Sequence, residues 1–141
     1  MDSAEVPAMA LIDWTDDFKT GITKMDDQHR NLVEIVNKFD DAAKRGKGSR
    51  IMTEILNELI GYTVEHFTAE EKLMEDSQYA KLKQHRSQHR QLLQRVERLQ
   101  FEFDQQGKRI TVEVRDFLKY WLVNHILKED KAYVPFVTQK V

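Results

Sequence analysis

The segment YTVEHFTAEEKLM, residues 62–74, has the apolar spacing of an amphipathic helix. His66 lies in line with the apolar residues of this segment, and Glu70 follows four positions later on the same side. Residues four apart on a helix stand one above the other, about 5–6 Å apart at Cβ. A titratable pair on the face that faces a core indicates either a polar network or a bound ion.

Three further segments have the same helical spacing, so the sequence predicts an all-α protein. The four predicted helices cover about residues 24–45, 50–76, 79–105 and 111–131. Only short connections join them, and short connections favour antiparallel neighbours. We therefore predict an up-down-up-down four-helix bundle with an N-terminal arm.

The chain of 141 residues suits one domain, which we place at residues 13–135. Residues 1–12 are small and irregular, which predicts a flexible N-terminal tail. Residues 13–24 contain aromatic side chains without helical spacing, which predicts an arm packed across the bundle. Pro135 is expected to stop the last helix, so residues 136–141 are predicted to be a C-terminal tail.

The composition argues against several classes of protein. The formal net charge is -2 and the basic residues are mixed with acidic ones, so no basic field is present to attract nucleic acid. No apolar run approaches the roughly 20 residues that span a bilayer, so we expect no membrane partner. Cysteine is absent, which excludes disulfides and thiolate metal sites. We expect a cytoplasmic monomer, and the sequence identifies no protein partner.

All five histidines lie on the inner faces of the predicted helices. In an alternating bundle, the starts of the first and third helices share one end with the last parts of the second and fourth. The residues predicted to converge at this depth are His29, His66, His85, His89 and His125, together with Glu70. Without a metal, every buried imidazole N–H needs an acceptor, and the sequence offers few. A metal centre removes this requirement because each imidazole ligates through one nitrogen.

The donor types narrow the choice of metal. His66 and Glu70, and likewise His85 and His89, are spaced so that both side chains reach one ion or two adjacent ions. Five imidazoles exceed the ligands of a four-coordinate zinc site, and with carboxylates the number fits two octahedral ions. Imidazole and carboxylate without thiolate suit iron, among other metals. A metal-free helical interaction module remains an alternative.

Four segments resemble the hemerythrin family in its single-domain bacterial form. They are GITKMDDQH (21–29), HFTAEEKLM (66–74), HRSQH (85–89) and WLVNHILKED (121–130). They occur in the order and spacing of the family, and the resemblance covers about residues 11–135. It implies a non-haem di-iron centre with O2 as its ligand.

The resemblance also implies a role for each ligand. One iron would be held by three residues, His85, His89 and His125. The second iron would be held by His29 and His66, with one position open to O2. Glu70 and Asp130 would bridge both irons beside an oxo or hydroxo group. The apolar O2 pocket of the family would correspond to Leu32, Phe67, Trp121, Leu122 and Ile126, each of which is equally explained as ordinary core.

One of these ligands conflicts with regular helical geometry. Counted from His125, Glu129 would lie about 40° away around an ideal helix, and Asp130 about 140° away. Geometry alone therefore favours Glu129, whereas the family pattern requires Asp130. Both hold if the helix is locally widened, so we predict a π-type distortion between Trp121 and Asp130.

The resemblance favours an oxygen-binding protein over a catalyst, with O2 transport, storage or sensing as its use. Five neutral imidazoles with only two carboxylates supply little negative charge, unlike the carboxylate-rich bundles that carry out oxidations. No Tyr or further carboxylate is expected near the open iron as a proton donor. The alternatives are a di-iron redox enzyme acting on peroxide or nitric oxide, and a regulatory module that responds to oxygen or iron.

Overall fold

The computed structural model describes residues 10–106 and 111–138. The helices are α1 (Thr23–Lys44), α2 (Ser49–Asp76), α3 (Leu82–Gln106), α4 (Thr111–Asn124) and α5 (Lys131–Thr138), with a π-helical turn at His125–Asp130 between α4 and α5. Within these described ranges there is no β-strand. α1 packs against α2 and α4, and α3 packs against the same two helices, so the four long helices close into a bundle. The prediction of an all-α four-helix bundle is confirmed.

The inner faces of the helices form the core. The apolar residues that the helical spacing places on the inner face of α1 are all buried, and so are those of α4: Met25, Leu32, Val36 and Phe39 on α1, and Val114, Leu118 and Trp121 on α4. On α2 the apolar spacing predicts an inner face that includes Tyr62 and Leu73, but both are only half-buried, whereas the neighbouring Phe67 and Met74 are buried. α2 packs against both α1 and α3.

Two apolar clusters enclose the polar residues of the core. The larger one fills most of the bundle and reaches Phe67 on α2 and Ile126 in the π-helical turn. The smaller one contains Met74, Tyr79 and Tyr133. The buried polar residues of α2 therefore lie between the larger and the smaller apolar cluster. The same holds for the segment that runs from the π-helical turn into α5.

The N-terminal arm packs on the bundle as predicted. The backbone N–H of Ile12 donates to Oδ1 of Asn37, and Nδ2 of Asn37 donates to the carbonyl of Ile12, both at 2.9 Å. Phe18 is buried and stacks on Trp14 at 5.2 Å between ring centroids. These contacts hold the arm across α1.

Both predicted tails have packed residues at their inner ends. Ile12 is buried, whereas residues 1–9 lie outside the described residues. At the other end the helix continues through Pro135 to Thr138, past its predicted end near residue 131, and Val137 is buried. Pro135 lacks a backbone donor, but burial of Val137 holds the segment on the bundle despite that loss. Residues 139–141 are also outside the described part, and the domain limits 13–135 stay a prediction.

The outer faces of the helices are largely charged. In residues 10–106 and 111–138, no helix combines the length and the apolar content needed to cross a bilayer. Phe101 on α3 and Tyr120 on α4 are exposed, at 64% and 69% of their surface. The monomeric state remains a prediction.

Candidate metal centre

The histidines converge in the core, as their helical positions predict. α1 contributes His29, α2 contributes His66 and Glu70, α3 contributes His85 and His89, and the π-helical turn contributes His125 and Asp130. All seven side chains are buried. Five buried imidazoles and two buried carboxylates lie in one layer. Burial of these polar groups costs free energy unless they are hydrogen-bonded, paired with opposite charge or bound to a metal.

The seven residues fall into two groups that share both carboxylates. In each group the candidate ligand atoms lie within 4.8 Å of one another. The first group, called here the three-histidine group, contains His85, His89 and His125 with Glu70 and Asp130. The second, the two-histidine group, contains His29 and His66 with the same two carboxylates.

Glu70 directs one oxygen to each group. Its Oε1 lies 2.9 Å from Nε2 of His89, in the three-histidine group. Its Oε2 lies 3.4 Å from Nε2 of His66 and 3.6 Å from Nε2 of His29, in the two-histidine group. A carboxylate placed in this way has the arrangement of a bridge between two cations.

Asp130 repeats this arrangement. Its Oδ1 lies 2.9 Å from Nε2 of His125, and its Oδ2 lies 2.9 Å from Nε2 of His29. The predicted distortion that allows this is confirmed, since residues His125–Asp130 form a π-helical turn. The choice of Glu129 by ideal geometry is wrong for the inner position, because the widened turn brings Asp130 round to the core.

The imidazole nitrogens that point away from the centre have acceptors in three cases. Nδ1 of His66 lies 2.6 Å from Oε1 of Gln28. Nδ1 of His89 lies 2.7 Å from Oε2 of Glu71. Nδ1 of His125 lies 2.8 Å from Oε2 of Glu129. An acceptor at Nδ1 keeps the proton on that nitrogen, which leaves the Nε2 lone pair directed at the centre for a metal.

Several buried polar atoms of the cluster have no hydrogen-bond partner, and such atoms indicate whether a metal would fit the site. Both nitrogens of His29, Nε2 of His66 and both oxygens of Asp130 are buried without a hydrogen bond of acceptable geometry. Nε2 of His89 and Nε2 of His125 face each other at 3.2 Å, although both rings carry their proton on Nδ1 in the tautomer just described. Two lone pairs at this distance repel unless a cation or a proton lies with them. The donor set therefore fits metal ions better than a closed hydrogen-bond network.

Burial and the carboxylates act in opposite directions on the histidines. Burial lowers the pKa of His29, but the nearby carboxylates of Asp130 and Glu70 outweigh burial and raise that pKa to about 9. The same balance raises the pKa of His85 to about 9 and the pKa of His125 well above 6.5. Burial in turn raises the pKa of Glu70, but the surrounding histidines hold it well below 4.5. The cluster keeps its anions and attracts protons, and a metal ion would compete with those protons.

Tyr133 is a neighbour of the centre that the sequence analysis missed. Its hydroxyl donates to Oε2 of Glu70 at 3.0 Å, on the oxygen that faces the two-histidine group. The prediction that no Tyr lies near this side is therefore wrong, and the reason is the helix that continues past residue 131 into α5. Burial, and then the Glu70 and Asp130 charges, raise the pKa of Tyr133, so its proton stays on the phenol oxygen. Tyr133 follows Asp130 by three residues, and residues three apart lie on the same helical face, so this spacing could have predicted that Tyr133 lies near the centre.

The five predicted O2-pocket residues are all buried in the larger apolar cluster: Leu32, Phe67, Trp121, Leu122 and Ile126. Phe67 stacks on the ring of His89, with centroids 3.6 Å apart and an interplanar angle of 2°. It also lies 6.3 Å from Trp121 between ring centroids. These side chains form an apolar layer against the histidines, and their role as an O2 pocket stays a prediction.

A helical bundle whose core presents imidazoles and two shared carboxylates belongs to the class of helical metal-binding proteins. The sequence pattern described as the Hemerythrin HHE cation binding domain matches residues 20–137 of this chain. The chain therefore belongs to the hemerythrin family.

Several relatives of known family match the sequence of this chain over most of their own length. The Bacteriohemerythrin of Pseudomonas aeruginosa (strain LESB58) is 39% identical over 92% of this chain and 83% of its own. The Bacteriohemerythrin of Methylococcus capsulatus is 38% identical over 90% of this chain and 97% of its own. The Myohemerythrin of Sipunculus nudus is 30% identical over 85% and 88%. A crystal structure of wild-type hemerythrin superposes with a TM-score of 0.82 at 36% identity, covering 91% of this chain and 98% of that one.

Proposed function

We propose that this chain binds O2 reversibly at a non-haem di-iron centre. The observation that carries the proposal is the division of the ligands into two groups that share two carboxylates. Glu70 and Asp130 each direct one oxygen to either group, which suits two ions held side by side. Membership of the hemerythrin family supports iron as the metal and O2 as the ligand.

The residues divide the work between the two positions. His85, His89 and His125 would hold one iron, and His29 and His66 would hold the other, with Glu70 and Asp130 bridging them. The two-histidine position has one protein ligand fewer, so it is the position that we assign to O2. When bound, the two irons would supply the two-electron redox chemistry on which O2 binding depends.

The protein around the centre favours binding over reaction. Leu32, Phe67 and Ile126 are buried in the larger apolar cluster, and Phe67 stacks on the ring of His89. Release of reduced oxygen requires protons and water, so a dry surrounding slows that loss. The same properties would serve O2 storage, transport and sensing alike.

A redox reaction at the same centre is the second candidate, and Tyr133 is the observation that favours it. Its hydroxyl is a buried proton donor that contacts Glu70 on the side of the two-histidine group. In the present geometry its proton is engaged by the Glu70 carboxylate. Use of that proton in a reaction would require the hydrogen bond to be exchanged, which makes catalysis the weaker candidate.

The test is a cycle of oxygenation and deoxygenation. The protein is loaded with ferrous iron without air, exposed to O2, and then purged with inert gas, while the visible spectrum is recorded. Reversible binding predicts an absorption band that appears with O2 and disappears on purging, over several cycles. Zinc-loaded protein is the matched control and should show no band. A single irreversible conversion would favour the redox candidate, and loading of fewer than two irons per chain would contradict the di-iron centre.

A further inference from the structure

The two ligand groups differ in the groups that support their imidazoles. In the three-histidine group, Nδ1 of His89 lies 2.7 Å from the Glu71 carboxylate, and Nδ1 of His125 lies 2.8 Å from the Glu129 carboxylate. In the two-histidine group, the partner of His66 is a neutral amide, and Nδ1 of His29 has no hydrogen-bond partner. Within the described residues, carboxylates therefore contact the outer Nδ1 atoms of the three-histidine group but not those of the two-histidine group.

A carboxylate at Nδ1 changes the imidazole as a ligand. It draws the Nδ1 proton toward itself, which increases electron density in the ring and makes Nε2 a stronger donor. Hydrogen bonds to an ionised acceptor are also about twice as strong as those between neutral groups. A stronger donor stabilises a higher charge on the metal, so it favours binding and oxidation of the ion that it holds.

Both carboxylates are held in place. Nε of Arg86 donates to Oε1 of Glu71 at 3.2 Å, which leaves Oε2 for His89, and Nη2 of Arg86 donates to Glu75 at 3.1 Å. Glu129 lies within the π-helical turn, next to Asp130, so the widened turn that brings Asp130 to the centre also directs Glu129 to the outer nitrogen of His125. The side chains of Glu71 and Glu129 are 24% and 33% exposed, so each carboxylate lies at the edge of the core.

We propose that Glu71 and Glu129 are positioning residues that make the three-histidine position the tighter-binding and more easily oxidised of the two metal positions. The inference rests on the proposed di-iron centre. It assigns the difference between the two positions to the outer neighbours of the ligands, in addition to the number of ligands. The two-histidine position, whose imidazoles have no carboxylate at Nδ1 within the described residues, would keep its iron reduced until O2 arrives.

The experiment compares variants that change one charge and little volume. Glu71→Gln and Glu129→Gln remove the negative charge from the three-histidine group, and Gln28→Glu adds one to the two-histidine group. Glu75→Gln is the matched control, because Glu75 is a carboxylate of α2 that contacts Arg86, and within the described residues it makes no hydrogen bond to a histidine. Each variant is loaded with iron, and the measurements are the affinity for the first iron and the two one-electron midpoint potentials.

The expected results have opposite signs. Glu71→Gln and Glu129→Gln should each weaken binding of the first iron by about 10- to 100-fold and raise the first midpoint potential. A tenfold change in the ratio of ferric to ferrous affinity corresponds to about 59 mV for one electron. Gln28→Glu should lower the second potential, and Glu75→Gln should leave both unchanged. A merely structural role would weaken iron binding without this dependence on the sign of the charge.

Two failures can be told apart. If wild-type protein binds two irons and O2 reversibly, but the Glu71 and Glu129 variants match Glu75→Gln in both potentials, the inference is overturned and the proposed function stands. If wild-type protein does not take up two irons, both are overturned. Circular dichroism of each metal-free variant verifies folding, and because the two carboxylates lie on different helices, misfolding of one variant leaves the other as a test.

Discussion

His125 and Asp130 are five residues apart, yet Nε2 of His125 lies 2.9 Å from Oδ1 of Asp130. In an ideal α-helix these side chains would diverge by about 140°. The π-helical turn at His125–Asp130 closes that angle. It also leaves Glu129 on the outer nitrogen of His125 at 2.8 Å, so one widened turn supplies an inner and an outer carboxylate.

This division of roles predicts different results for two adjacent carboxylates. Asp130→Asn should reduce the iron content at saturating iron below two per chain, because the side chain that the two groups share loses its negative charge. Glu129→Gln should still bind two irons at saturation, since Glu129 contacts the outer nitrogen only. Metal analysis of both variants, loaded and desalted in parallel, measures this difference. Equal iron contents in the two variants would count against the assignment of Asp130 as a bridge.

Much of the fold could be predicted because the bundle has a regular period. The inner stripes of α1 and α4 follow a spacing of three and four residues, and the structure buries them as predicted. The π-helical turn was predictable from a conflict between two patterns, since His125 and Asp130 cannot share a face of a regular helix. The end of the last helix was not predictable in this way, because a proline usually ends a helix, whereas α5 continues through Pro135 to Thr138.

The outer partners of the histidines were also missed. Gln28, Glu71 and Glu129 each lie one residue away from a predicted ligand. In the sequence, Gln28 and Glu71 look like parts of solvated helix faces, whereas regular geometry favours Glu129 for the inner position that Asp130 occupies. Whether Gln28 or Glu71 turns to water or to an imidazole depends on the orientation of a histidine ring on another helix. That orientation is a property of the packed bundle, so no local pattern contains it.

Metal binding should stabilise the protein strongly. The cluster buries atoms without hydrogen-bond partners on His29, His66 and Asp130, and a bound metal would give these atoms a partner. A ligand that binds only the folded state stabilises it by about 2.7 kcal/mol at 100 times its Kd. We expect the melting temperature of iron-loaded protein to exceed that of chelator-treated protein by several degrees. Scanning calorimetry of both forms measures the difference, and identical transitions would contradict a metal role for the cluster.

The metal-free protein should lose stability on both sides of a narrow pH window. The pKa values of His29 and His85 are raised from 6.5 to about 9, so their contribution is complete below 6.5 and is lost as the pH rises to about 9. The pKa values of Glu70 and Asp130 are lowered from 4.5 and 3.8, so their contribution is complete above about 4.5 and is lost as the pH falls. Stability should therefore be greatest between about pH 4.5 and 6.5.

Thermal unfolding of chelator-treated protein from pH 4 to 9 measures this window. Iron affinity should rise between pH 6.5 and 9, because the metal competes with fewer protons on the imidazoles as the pH increases. A melting temperature that stays constant from pH 6.5 to 9 would show that the histidines do not hold these protons.

A matched pair of cavities would separate an O2 pocket from ordinary core. Leu32 on α1 and Leu56 on α2 are both 1% exposed, and both belong to the larger apolar cluster. Leu32 lies one turn from His29, whereas Leu56 lies ten residues before His66, about 15 Å along the helix. Replacing either leucine with alanine should lower the free energy of unfolding by about 2–5 kcal/mol, because both changes leave a cavity in a packed core.

The two variants should differ in how they retain O2. A cavity beside the two-histidine group admits water to the position assigned to O2, whereas a cavity at the far end of the bundle does not. Leu32→Ala should therefore speed the irreversible oxidation of the oxygenated protein, and Leu56→Ala should leave that rate near the wild-type value. The decay of the O2-dependent absorption band in air measures the rate. If both variants decay equally fast, general loosening of the core explains the effect, and Leu32 has no special place in a pocket.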